Sequence, residues 1–111
     1  MSKKQNKIKR QLVKVYKEIA LERSFHCSGC GKSGYIVPLS HSHLIPRSRR
    51  LDLVTDKNNI QYHCLSYGET KGCHDIWESR DRKTLNDYFY NLAYIMKKDK
   101  EYYHIITELN V

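Results

Sequence analysis

Four cysteines constrain the fold of this 111-residue chain more than any other feature of its sequence. Cys27 and Cys30 are separated by two small residues, and Cys64 and Cys73 follow later with eight residues between them. The first pair is typical of a knuckle, in which the backbone turns tightly enough for two thiolates to reach one tetrahedral ion. The spacing therefore predicts a metal site of four cysteines that joins distant parts of the chain.

Other interpretations of these cysteines stay open. A chain without an export signal is expected to keep its thiols reduced, which disfavours two disulfides. Some of the cysteines could be buried apolar residues or a redox dithiol, and His26 or His63, each directly before a cysteine, could replace one thiolate. We favour four thiolates, which would fill the coordination sphere of Zn²⁺ and make it a structural ion.

The composition predicts a basic, folded domain. Lys and Arg number 20 against 12 Asp and Glu, which gives a net charge of +8, and hydrophobic residues make up 40% of the chain. Such a charge favours a polyanionic partner, of which nucleic acid is the commonest, and the length suits a single domain. No apolar run approaches the roughly 18 residues that span a bilayer, so we expect a soluble, cytoplasmic protein that contacts no membrane.

Apolar residues at helical spacing predict amphipathic helices at both ends of the chain. From Lys4 to about Arg23, apolar residues recur at three- and four-residue steps with Lys and Arg on the remaining face. A second stripe comprises Leu85, Tyr88, Phe89, Leu92, Ile95 and Met96. A further helix is expected over residues 101–109, after a break near Asp99. We expect a basic N-terminal helix at 1–24, a core at 25–80 with extended segments at 35–37 and 60–62, and C-terminal helices at 81–111.

Three motifs follow the C-x-x-C pair in a specific order. They are Ser-His-Ser-His-Leu-Ile-Pro at 40–46, Asn-Asn-Ile at 58–60 and Gly-Cys-His at 72–74. This order resembles the HNH endonucleases, in which a His is followed two residues later by an apolar residue and Pro, an Asn precedes an apolar strand, and a Cys-His pair opens a helix. The resemblance spans about residues 27–78, nearly half the chain.

The resemblance implies an α+β fold with a ββα-metal (HNH) core and a zinc knuckle of four cysteines, flanked by the two sets of amphipathic helices. In such a core, two short strands and a helix hold a divalent cation, Mg²⁺ or Mn²⁺, against the scissile phosphate. By position, His43 matches the general base and His74 the metal ligand. Asn59 matches the residue that pins the long loop, with Asn58 as the alternative if the register shifts by one.

One residue departs from the family pattern. The family commonly has Asp or His directly before the base, as a second metal ligand, and this chain has Ser42. On a strand, His41 would share a face with His43 and could supply a nitrogen to the same catalytic ion. Glu78, one helical turn beyond His74, is another candidate ligand.

Basic residues near the motifs predict contacts with nucleic acid. Arg47, Arg49 and Arg50 follow the predicted base and could bind phosphates flanking the cleaved bond. The first helix carries a basic face formed by Lys3, Lys4, Lys7, Lys9, Arg10, Lys14 and Lys17. Both features are also compatible with a solvated loop and a solubilising helix face.

The favoured function is that of a zinc-stapled, metal-dependent HNH endonuclease of phage or bacterial type that hydrolyses DNA phosphodiester bonds. Its location would be the cytoplasm of a bacterium or of a phage-infected cell. One alternative is a catalytically inactive zinc-ribbon module that binds nucleic acid. Another is an interaction module whose terminal helices bind a phage or bacterial protein. A homodimer also stays open, because a single active centre cuts one strand.

Overall fold

A two-stranded antiparallel sheet lies between helices in the computed structural model, which describes residues 2–79 and 89–108. The described residues form a small α+β fold with four α-helices. The elements in chain order are α1 (Lys3–Glu22), β1 (Leu39–His43), β2 (Ile60–Cys64), α2 (Cys73–Ser79), α3 (Phe89–Lys98) and α4 (Lys100–Glu108). Two short 3-10 segments, Leu51–Leu53 and Lys57–Asn59, interrupt the long connection between the strands.

Helix α1 confirms the predicted N-terminal helix. It begins with a capping box, in which the Ser2 hydroxyl accepts from the Gln5 amide and the Gln5 side chain accepts from the Ser2 amide. Its buried residue Ile19 packs with Ile60 and Tyr62 of β2. No helix within the described ranges is both long and apolar enough to cross a membrane.

The sheet has two faces with different partners. The register pairs Leu39 with Cys64 and His43 with Ile60, and side chains alternate between the faces along each strand. On one face the ring of His41 stacks on Tyr16 of α1, with ring centroids 3.9 Å apart. On the other face the hydroxyl of Ser42 contacts α2. The sheet therefore separates α1 from α2.

The C-terminal helices pack on the same core as the sheet connections. Ile95 of α3 and Ile106 of α4 are buried in one cluster with Trp77 of α2 and Leu44. The chain breaks between α3 and α4 at Asp99, as the sequence predicted, and the Asp99 carboxylate accepts from the amide of Tyr102 at 3.1 Å.

Arg49 and Arg50, from the long connection, bind Asp99. Arg49 donates from Nε and Nη2 at 3.2 and 3.3 Å, and Arg50 Nη1 lies 3.6 Å from the carboxylate. Arg50 also donates to Asp52 and to the carbonyl of Lys98. The two arginines therefore fasten the long connection to the junction of α3 and α4.

Two expectations differ from the structure or lie outside it. The sequence predicts an extended segment at 35–37, but these residues form a turn in which Tyr35 and Ile36 are exposed and Val37 is half-buried, because the amides of Ile36 and Val37 both donate to the Ser33 carbonyl. Of the second apolar stripe, Ile95 is buried, Leu92 is half-buried and Met96 is exposed. Leu85, Tyr88 and the side chain of Phe89 lie outside the described residues.

Replacing Asp99 with Asn should detach the long connection from the C-terminal helices. The carboxylate is only 8% exposed and has two arginine partners, so Asp99→Asn should lower the free energy of unfolding by about 1–3 kcal/mol in urea titrations. The matched control Asp52→Asn removes a 63% exposed partner of Arg50 and should cost clearly less stability, because solvent screens that pair. Equal losses would contradict a structural role for Asp99.

The effect of Asp99→Asn should depend on pH. The hydrogen bond from Arg49 holds the pKa of the Asp99 carboxyl below its usual value. A carboxyl with a depressed folded pKa stabilises the protein above its unfolded pKa, and this contribution is lost as pH falls through the folded pKa. The difference between wild type and Asp99→Asn should therefore shrink below about pH 4.

Candidate functional site

The four cysteines form one cluster. Their sulfur atoms all lie within 4.8 Å of one another, and the sulfurs of Cys30 and Cys64 are 3.7 Å apart. Four sulfurs at about 2.3 Å from a tetrahedral zinc ion would be about 3.8 Å apart, so the arrangement could hold such a metal ion. Cys27, Cys64 and Cys73 are buried, whereas Cys30 is exposed. The predicted grouping of the cysteines is confirmed.

Local backbone geometry brings the cysteines together. The knuckle closes through hydrogen bonds from the Cys27 amide to the Lys32 carbonyl and from the Gly31 amide to the Cys27 carbonyl, both 2.9 Å. Gly31 has a φ of 81°, which glycine adopts without strain. Gly72, directly before Cys73, has no room for a Cβ atom, since one would collide with the backbone of Cys64 and the following residue. The C-terminal end of β2 and the start of α2 therefore meet closely.

Backbone amides favour the thiolate form at one of these cysteines. The Cys64 amide donates to the Cys27 sulfur, and the Cys73 amide donates to the Cys64 sulfur, both at 3.3 Å. Burial alone would raise the pKa of the Cys27 thiol, but amides including those of Cys30 and Cys64 lower that pKa to about 7. At Cys64 burial dominates, and the pKa is raised.

Neither histidine considered as a replacement ligand belongs to the cluster. His26 is exposed, beside the knuckle. His63 is fully buried, its ring faces Trp77, and its Nε2 lies 3.4 Å from Nδ2 of Asn91. The donor set that the described residues offer is therefore four sulfurs.

His43 ends β1 with one ring nitrogen held by the backbone. Its Nε2 lies 2.9 Å from the carbonyl oxygen of Val54. A carbonyl oxygen only accepts hydrogen bonds, so in the neutral ring Nε2 carries the proton and Nδ1 carries the lone pair. The contact therefore orients a basic nitrogen at the point where the long connection begins.

Asn59 ties the two ends of that connection together. Its Oδ1 accepts from the Ile45 amide at 2.8 Å, while its Nδ2 donates to the carbonyls of Ile45 and Leu53, both at 3.1 Å. Asn59 is completely buried, whereas Asn58 is exposed. Of the two asparagines, Asn59 has the contacts of a loop-pinning residue.

His74 lies in the first turn of α2 and faces β1. Its Nδ1 is 2.7 Å from the hydroxyl oxygen of Ser42 and 3.2 Å from that of Ser40. This contact joins α2 to the residue directly before His43. Compared with the family pattern, Ser42 only marks the absence of a ligand. Side chains alternate along a strand, so Ser42 points to the face opposite His43, and this alternation was the signal in the sequence that Ser42 faces the helix.

His41 lies away from His74. Its ring is stacked between α1 and β2, on Tyr16 and beside Tyr62. Burial lowers the pKa of His41, and the nearby charges of His43 and Arg23 lower it further. The predicted approach of His41 to a shared ion at His74 is not made, because His74 contacts Ser42 on the opposite face of the sheet.

Glu78 does not complete a second cluster either. Across the described residues, the four cysteines are the only group of three or more His, Cys, Asp or Glu side chains with donor atoms close together. His41, His74 and Glu78 therefore do not form a ligand triad. His74 is left with the Ser40 and Ser42 hydroxyls as its side-chain hydrogen-bond neighbours.

The three arginines predicted to bind phosphate have different surroundings. Arg49 and Arg50 are engaged by Asp99, and Arg49 also lies 3.6 Å from Glu101. Both arginines are therefore engaged within the fold, and their contact with nucleic acid stays a prediction. Arg47 is exposed and remains a candidate.

Arg47 borders a cleft between the N-terminal half of α1 and the long connection. Three adjoining cavities share Ile8 as a lining residue, and the largest has a volume of about 660 Å³. Their basic lining residues are Lys4, Lys7, Lys9 and Arg47. This cleft could not be predicted from the sequence, because it depends on how α1 lies relative to the connection.

Comparisons of the chain with protein-family models, with curated proteins and with solved structures gave no match.

The cysteine cluster should bind one divalent metal ion per chain. Titration of the reduced, metal-free protein with Co²⁺ should give the absorption bands of tetrahedral thiolate coordination, and chelation should lower the melting temperature. Cys64→Ser should weaken binding and stability, because it removes a buried ligand. The control His26→Ala should change neither. A disulfide among these cysteines in the purified protein, or binding unaffected by Cys64→Ser, would contradict the assignment.

Proposed function

We propose that this protein is a metal-dependent endonuclease of the HNH type that hydrolyses phosphodiester bonds in DNA. The observation that carries the proposal is the contact between His74 and Ser42, the residue directly before His43. It joins α2 to the strand that ends at His43, while Asn59 holds the connection that follows this strand. A candidate base, its loop anchor and a candidate metal ligand thus belong to neighbouring elements of one ββα unit.

In this proposal His43 is the general base. Its Nδ1 accepts a proton from the attacking water as the water oxygen bonds to phosphorus and the bond from phosphorus to the 3′ oxygen breaks. The second ring nitrogen, Nε2, keeps its proton and donates it in a hydrogen bond to the Val54 carbonyl. This hydrogen bond keeps the ring in one orientation and stabilises the imidazolium that forms. Asn59 acts indirectly, since it fixes the connection that contains Val54.

The proposal requires two metal ions with different donors. Four cysteine sulfurs suit Zn²⁺, which we assign a structural role because no coordination position is left open. His74 would hold a catalytic Mg²⁺ or Mn²⁺, an ion that keeps several waters and binds phosphate oxygens. When bound, this ion would supply positive charge to the phosphate as the bond breaks.

The basic cleft beside α1 is the proposed path of the DNA backbone. It adjoins the connection that follows His43, and its lysines and Arg47 complement the phosphate charge. Contacts of this kind position a duplex without reading its sequence. The net charge of +8 supports the same partner.

A second candidate function is a nucleic-acid-binding module without catalysis. Ser42 favours it, since a serine stands where the family commonly has a second metal ligand. Among the described residues, His74 belongs to no group of three or more His, Cys, Asp or Glu side chains that could hold a metal ion. The two candidates share the zinc site and the basic cleft and differ only in whether bonds are cut. A cleavage assay separates them.

Supercoiled plasmid with Mg²⁺ or Mn²⁺ should be converted to nicked or linear DNA. His43→Ala should reduce the rate by about 10²–10⁴-fold, the range typical of removing a general base, and EDTA should stop the reaction. His26→Ala, an exposed histidine outside the ββα unit, is the matched control and should cleave at the wild-type rate. Retained DNA binding without any cleavage by the wild type would favour the non-catalytic module.

Charge reversal in the cleft should weaken DNA binding. Lys7→Glu and Arg47→Glu should each lower affinity on every sequence and reduce the slope of log affinity against log salt by about one for each phosphate that is no longer bound. Lys97→Glu, at an exposed position on α3 outside the cleft, makes the same charge change and is the control. Fluorescence anisotropy at several salt concentrations measures both quantities. Equal effects of Lys7→Glu and Lys97→Glu would show that net charge, not the cleft, determines binding.

A further inference from the structure

Two serine hydroxyls form a chain of polar contacts behind His74. The Ser42 oxygen is 2.7 Å from His74 Nδ1 and 3.1 Å from the Ser40 oxygen. The Ser40 oxygen is 3.0 Å from the carbonyl oxygen of His63 and 3.2 Å from the same Nδ1. Ser42 is only 1% exposed, so its hydrogen bonds are made within the protein.

The direction of each hydrogen bond follows from the carbonyl at the end of the chain. The His63 carbonyl only accepts, so the Ser40 hydroxyl donates to it. The Ser40 oxygen then accepts from Ser42, which uses the single proton of that hydroxyl. The Ser42 oxygen must therefore accept from His74, and the proton in the shortest contact belongs to Nδ1.

The opposite assignment leaves unfavourable contacts. If Nδ1 of His74 were unprotonated, the Ser42 hydroxyl would donate to it. With the Ser40 proton on the His63 carbonyl, the Ser40 oxygen would then face the Ser42 oxygen at 3.1 Å and Nδ1 at 3.2 Å with no proton between either pair. Turning the Ser40 proton toward Ser42 instead would give up the hydrogen bond to that carbonyl. Buried lone pairs opposed in this way repel each other, and the cost is that of unmade hydrogen bonds.

We propose that Ser42, supported by Ser40, is a positioning residue that fixes His74 as the tautomer with its proton on Nδ1. The lone pair is then on Nε2, which is the nitrogen left to bind a metal ion. His43 is held in the opposite tautomer by Val54. On this inference Ser42 does not replace the ligand expected at its position but orients the ligand that remains. The metal-binding consequence rests on the proposed function, whereas the tautomer does not.

The tautomer can be measured without any catalysis. In the ¹⁵N-labelled full chain at a pH where His74 is neutral, long-range ¹H–¹⁵N correlation spectra should show Nδ1 protonated and Nε2 unprotonated. Ser42→Ala leaves only the longer 3.2 Å contact of Nδ1 with Ser40, so it should convert this single form into a mixture with a substantial Nε2-protonated population. Ser42→Thr, which keeps the hydroxyl, should restore the wild-type pattern, and the exposed Ser48→Ala should leave it unchanged. Backbone amide spectra verify that each variant is folded.

Ser40→Ala provides a second test if Ser42→Ala does not fold. It removes the acceptor of the Ser42 proton, which becomes free to turn toward His74, so the Nε2-protonated form should again appear. An unprotonated Nδ1 in the wild type would overturn the proposal. So would an unchanged tautomer in the folded Ser42→Ala variant or, where that variant does not fold, in Ser40→Ala.

Mn²⁺ binding separates this proposal from the proposed function. Where His74 is a ligand, Ser42→Ala should weaken Mn²⁺ binding about 10- to 100-fold in calorimetric titrations, and Ser42→Thr should recover it. The expected tautomer with no Mn²⁺ binding in the wild type would support the role of Ser42 and count against the proposed nuclease. Mn²⁺ binding with the reverse tautomer would overturn only the role of Ser42.

Discussion

Four sulfur atoms from three separate segments of the chain must lie within 4.8 Å of one another, and much of the structure depends on this requirement. It fixes the end of β2 at Cys64 and the start of α2 at Cys73, with Gly72 allowing the close approach. A metal ion bound there would act as a cross-link between these three segments. Because His74 directly follows Cys73, the same requirement sets where that imidazole meets β1.

The long connection between the strands is held from two sides. Asn59 bonds to its beginning and to its 3-10 segment, while Asp99 binds its arginines from the C-terminal helices. These anchors belong to different parts of the chain, so the C-terminal helices are coupled to the segment that orients His43. The C-terminal helices lie outside the motifs in the sequence, but in the structure they help to support the candidate site.

Local features of this fold could be predicted from the sequence, whereas few contacts between residues distant in the chain could be. Cysteine spacing and apolar periodicity predicted the metal cluster and α1, since both are determined by short-range geometry. The ion pair between Arg49 and Asp99 was not predictable, because fifty residues separate them. An arginine in a loop is ordinarily interpreted as solvated or as a phosphate ligand. The stacking of His41 on Tyr16 was missed for a related reason, since alternation gives a strand face but not the helix that covers it.

Helix α1 is anchored to the sheet through its C-terminal half, by Ile19 and by the stacking of Tyr16 on His41, while its N-terminal half borders the basic cleft. The lysines near its start therefore belong to a helix whose backbone is already ordered. A flexible basic tail loses conformational entropy when a polyanion binds, whereas this helix lost its backbone entropy during folding. Preorganisation of this kind makes the spacing of its positive charges a fixed property of the protein.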